Sequence, residues 1–167
     1  MPAYHSQFND NTEYRIVGNM VLLPIKTKIR GPGTLAPADQ KDIIDESLDL
    51  FRANCLFRNF EIKGNADRVL IYLILFISDC LGRLTKSPSQ KEAVKILSTR
   101  ALDPFALPGE PNFPLNALYA APAHRGDADL LRQYLSQLRQ ELALRLYVVV
   151  ASGSEFDDNR GGIVDKH

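Results

Sequence analysis

Side chains that carry out chemistry are scarce in this sequence. Its 167 residues include three histidines, two cysteines and no tryptophan, and 20 Lys and Arg are cancelled by 20 Asp and Glu. Each shortage excludes something. Balanced charge argues against a general electrostatic grip on nucleic acid or an anionic membrane surface. Cys55 and Cys80 lie in apolar, helix-like runs without the spacing of a zinc site or redox pair, so they read as buried thiols of an intracellular protein. The opening Met1-Pro2-Ala3-Tyr4-His5-Ser6 has neither the charged nor the apolar region of a secretory signal. The apolar run Val69 to Ile77 is far shorter than the roughly 20 residues that cross a bilayer, so no membrane insertion is expected.

Catalytic groups are equally sparse. His5 abuts Ser6, but sequence neighbours do not point at one another as a Ser-His pair must, and no Gly-x-Ser-x-Gly elbow presents a hydroxyl. Gly31-Pro32-Gly33 lacks the further glycines and Lys-Ser/Thr of a phosphate loop, and turn chemistry accounts for it. Asp127 and Asp129 open like a calcium loop without its glycine and terminal glutamate; they read as helix caps. Phe57-Arg58-Asn59-Phe60 interleaves aromatic and basic residues as a base-stacking surface does, although on a helix these Phe residues belong to the core. The reading is therefore of a non-enzyme with no catalytic residues, metal or cofactor, and no nucleic-acid partner.

What is present is apolar and periodic. The content of 45% hydrophobic residues suits one all-α, mainly helical domain over residues 1–150. Residues 1–37 read as an extended arm interrupted by Gly18, Pro24, Gly31, Pro32, Gly33 and Pro37. Its apolar centre, Ile16 to Ile25, must dock along the domain or across a subunit boundary. Lys26, Lys28 and Arg30 alternate as on an edge strand.

Helices are expected over 38–58, 65–84 and 87–102. The first carries Asp39, Asp42, Asp45 and Glu46 where the helix dipole favours carboxylates. In the second, with Asn65 as cap, a buried strand competes over the apolar run. The third is announced by Ser87-Pro88-Ser89-Gln90, read as a capping box. A last helix over 126–147 places Leu131, Leu135, Leu138, Leu142 and Leu146 on one stripe. Arg132, Gln133, Gln137, Arg139, Gln140 and Glu141 form its polar face, and Glu141 and Arg145 make an i,i+4 pair. Residues 151–167 have the composition of a flexible tail.

The most distinctive segment is 103–125, which joins Pro108, Pro111 and Pro114 to Phe113, Leu115, Leu118 and Tyr119. Proline excludes both helix and central strand, leaving an extended ribbon. A ribbon with large apolar side chains lays them either on its own core or on another protein.

Three segments together resemble a known family: Met1 to Ser6, Val17-Gly18-Asn19-Met20-Val21-Leu22-Leu23-Pro24-Ile25, and Pro108-Gly109-Glu110-Pro111-Asn112-Phe113-Pro114-Leu115-Asn116-Ala117. Ala66 to Tyr72 and Leu138 to Glu141 agree as well, so the likeness runs in order from residue 1 to about 146. The family is the third subunit of the actin-related protein 2/3 complex. The resemblance implies a non-catalytic structural subunit of a cytoplasmic hetero-oligomer that nucleates actin filaments as branches in the actin cytoskeleton. It also implies association chiefly with the larger actin-related protein, beside the actin filament at the branch. Candidate contact residues are Tyr4, His5, Asn19, Met20, Pro111, Phe113, Pro114, Asn116 and Tyr119. The alternative is a helical adaptor or scaffold of another cytosolic assembly. The ending diverges from the family's usual basic segment with paired tryptophans, and the tail is expected to be dispensable.

Overall fold

A computed structural model describes residues 5–53, 61–84 and 89–151. Among them lie a two-stranded antiparallel hairpin, β1 (Ile16–Val17) with β2 (Met20–Val21), and four α-helices. The helices are α1 (Ile43–Ala53), α2 (Asn65–Leu84), α3 (Gln90–Leu102) and α4 (Arg125–Ala151). The expectation of a mainly helical chain holds, with the hairpin as an addition.

The leucine stripe organises the core. Leu131, Leu135, Leu138, Leu142 and Leu146 are fully buried, each contributing about 1.5–3 kcal/mol over exposure. Helix α2 packs against α1, α3 and α4 and against β2, and buries most of its length. Its helical state settles the competition with a strand. A run that is apolar on every side needs neighbours on every side, and the central position supplies them.

Helix starts depart from expectation where other caps act, two of them local and one remote. Helix α1 begins at Ile43 because Asp42 and Asp45 bond reciprocally, each carboxylate accepting the other's backbone amide at 2.9 and 3.1 Å. Residues 38–41 therefore stay outside it; its expected end at 58, with Cys55, lies outside the described residues. Asn65 does not cap α2. Its side chain accepts from Arg68, while Asn9 of the arm accepts the Asp67 amide. Helix α3 is capped by Ser89, whose hydroxyl accepts from the Glu92 amide; Ser87 and Pro88 lie outside the described residues. Helix α4 starts one residue earlier than expected and continues to Ala151. The tail beyond it lies outside the described residues.

The arm's apolar centre is docked on the chain's own core, where Met20, Leu23 and Ile25 are buried. Residues 26–30 form no strand; only Ile25 and Leu35 bridge. Lys26 instead turns inward, its amide bonding Asp42 and its ammonium pairing with Asp45 at 2.6 Å. Gly31 and Gly33 let this loop approach α4: a Cβ on either would lie within 2.8 Å of the Gln137 side chain. Gln137 uses that proximity, accepting from the Gly33 amide and donating to the Ile29 carbonyl.

Candidate protein-interaction surface

Segment 103–124 is turned rather than straight. Leu107 and Glu110 close a turn in which Gly109 has φ +95°, and Asn116 clamps it by accepting from Gly109 N and donating to Glu110 O. Asn116–Leu118 is a single 3-10 turn, entered through Leu115 in the left-handed region at φ 58°. The segment's end is fastened from two sides. Arg68 of α2 donates to Leu118 O at 2.7 Å, and Asn19, in the β1–β2 turn, donates to Leu118 O and accepts from Ala120 N.

Its aromatic side chains point inward. Phe113 is only 4% exposed, stacked at 6.0 Å on Tyr72 and edge-on to Tyr119 at 5.0 Å. The Tyr119 hydroxyl donates to Arg68 O at 2.7 Å, and burial pushes its acidity well below that of a free phenol. Of the candidate contact residues, Met20, Phe113 and Tyr119 are thus buried in this chain's own core. Asn19 and Asn116 are half-buried and clamp the segment. Pro111 and Pro114 stand exposed on its outer edge, with Leu115 and Leu118 partly exposed beside them. Tyr4 lies outside the described residues.

His5 belongs to a different cluster. Its Nδ1 lies 2.6 Å from the buried Asp67, which also accepts from the Ser6 and Lys63 amides. Burial pushes the Asp67 carboxyl up, but these bonds outweigh it and hold it below the usual carboxylate range. Ser6 donates to Glu46, so no serine-histidine pair forms here. Among the described residues no group of three or more His, Cys, Asp or Glu could hold a metal ion, and no helix is long and apolar enough to cross a membrane.

Behind the segment lies a cleft of about 480 Å³ walled by Tyr72, Phe76, Arg100, Phe105, Pro114 and Arg139. Arg139 and Gln137, expected on the polar face of α4, are both buried. The signal for Arg139 was present: it stands four residues after Leu135 and before Ala143, on the broad form of the buried stripe. A second, apolar groove of about 300 Å³ runs between α3 and α4, where Val94, Leu102 and Leu144 are exposed.

The family model P21-Arc, described as the ARP2/3 complex ARPC3 (21 kDa) subunit, matches residues 1–160, past the point near Leu146 where the resemblance was expected to stop. Actin-related protein 2/3 complex subunit 3 of Schizosaccharomyces pombe is 56% identical over 146 residues, covering 87% of this chain and 83% of its own. The Saccharomyces cerevisiae protein of that name is 56% identical over 158 residues, covering 93% and 88%. The Dictyostelium discoideum one is 53% identical, covering 86% and 83%. With a model spanning nearly the whole chain and relatives above half identity, the chain belongs to the P21-Arc family, the ARPC3 subunits of the ARP2/3 complex.

Proposed function

We propose that this chain is a non-catalytic structural subunit of an actin-related protein 2/3 complex, acting in actin filament nucleation and branching in the cytoplasm. The observation that carries this reading is the continuous family match over residues 1–160. Within the assembly the chain docks chiefly on the larger actin-related protein, beside the filament at the branch. The outer edge of segment 103–124 is the surface offered, as a proline-stiffened ribbon whose order is already fixed by the Phe113 stack and the Asn116 and Arg68 clamps. Pre-ordering lowers the entropy lost on binding. Residues 1–150 act as one helical domain in this role, and the exposed members of the contact set, Pro111 and Pro114, meet the partner while Asn19 and Asn116 hold them in place.

Affinity purification of the tagged full chain from its own cells tests the reading. Stoichiometric recovery of two actin-related proteins is expected. A chain recovered as a free monomer, or with unrelated companions, contradicts it.

A further inference from the structure

Among the described residues, Arg139 is a buried cation without a counter-ion. Its guanidinium lies between Phe76 at 4.3 Å and Phe105 at 4.6 Å, and donates to Tyr72 Oη at 3.3 Å and Arg100 O at 3.0 Å. Among the described residues its Nε is buried with no hydrogen-bond partner, and no carboxylate lies within ion-pair distance of the guanidinium. The acids of the cleft are already engaged: Asp79 by Arg100 at 2.5 Å and Arg83 at 3.5 Å, Glu110 by Arg132 at 3.1 Å. One positive charge is left over in a cleft with aromatic walls. Burying an unpaired charge is costly, so a site that retains one has a use for it.

We infer that this cleft receives a single carboxylate, an Asp or Glu side chain of a neighbouring subunit, on Arg139. A monoanion matches the surplus of one charge, whereas a phosphate dianion would remain under-neutralised beside Asp79 and Glu110. The planar guanidinium suits a carboxylate, and the two rings shield the pair from water. A side chain is favoured over a free acid because Asn112 and Pro114, on the exposed edge of the ribbon, form part of the cleft wall. The inference therefore rests on the proposed assembly and names what one partner residue must be.

The test uses the full chain within its assembly. Asn112 is replaced by p-benzoylphenylalanine, and the photo-cross-linked peptide is sequenced. A peptide of another subunit with an aspartate or glutamate beside the linked residue is expected; no cross-link, or a peptide without an acid, overturns the inference. In parallel, Arg139→Gln is expected to lower incorporation against co-expressed wild type by about tenfold or more, while the free chain keeps its melting temperature within a few degrees. Unchanged incorporation, or a loss fully explained by a lower melting temperature, sinks the cleft and leaves the assembly reading standing. An unsubstituted chain that never co-purifies with actin-related proteins sinks both.

Discussion

Tyr134 on α4 holds both backbone groups of Leu23, its hydroxyl accepting from the amide and donating to the carbonyl, each at 2.8 Å. The ring is fully buried, and burial raises the phenol's pKa so that it stays a donor throughout the working pH range. One side chain thereby fastens the N-terminal arm to the last helix across 111 residues of sequence. Tyr134→Phe keeps the shape but strands a buried N–H and a buried C=O, at an expected cost of about 2–4 kcal/mol. Urea denaturation of the free chain measures it.

A second fastening makes stability depend on pH in two opposite ways. Burial pushes the Glu46 and Glu141 carboxyls up, so the folded chain takes these protons more readily than the unfolded chain. Their contribution grows as pH falls toward the ordinary glutamate range and is lost as pH rises above it. Asp42 behaves oppositely: burial pushes it up, but Arg145 at 2.8 Å and the Asp45 and Lys26 amides outweigh that and hold it below the usual carboxylate range. Asp67 is lowered too. Their contribution is present above the unfolded value and is lost as pH falls below about 4. The urea midpoint should therefore rise as pH falls from neutral toward the ordinary carboxylate range and drop steeply in stronger acid. Asp42→Asn should flatten the acid limb and lower the midpoint at neutral pH.

Phe113 and the prolines beside it should separate stability from assembly. Phe113→Ala removes the ring between Tyr72 and Tyr119, and is expected to cost the free chain about 3–5 kcal/mol. Pro111→Ala and Pro114→Ala act on exposed positions and should cost under about 1 kcal/mol. If the outer edge meets a partner, the proline variants lose incorporation without losing stability. Paired urea melts and co-purification yields check this.

Two glycines should respond with opposite signs. Gly18 has φ +61°, and a Cβ there would sit 2.4 Å from the Ala120 carbonyl oxygen. Gly18→Ala should cost at least about 1–2 kcal/mol from the left-handed backbone alone. Gly82 lies inside α2 with nothing within 4 Å of a built Cβ, so Gly82→Ala should stabilise by about 0.5–1 kcal/mol.

The sequence was most legible where the physics is local. The leucine stripe of α4 and the span of α2 follow from spacing and length, and both stand as read. Reading failed where a residue's partner is remote. Asn9 completes the start of α2 from 58 positions away, and Arg145, besides its expected pair with Glu141 at 3.8 Å, binds the remote Asp42 and Asp45 more closely. That no α-helix runs through segment 103–124 was legible, because proline acts through its own backbone, but the turn at Gly109 and the 3-10 turn at Asn116–Leu118 replace the expected extended ribbon. Which way Phe113 points depends on Tyr72, and no local pattern carries that.

Residues 20–25 pack within the chain, and the proposed partner surface is the outer edge of segment 103–124. Amide hydrogen exchange, measured on the free full chain and on the purified assembly, addresses it directly. Residues 20–25 should be slow in both states, and residues 109–118 should slow markedly only in the assembly. Exchange at 109–118 that is the same in both states would contradict the account.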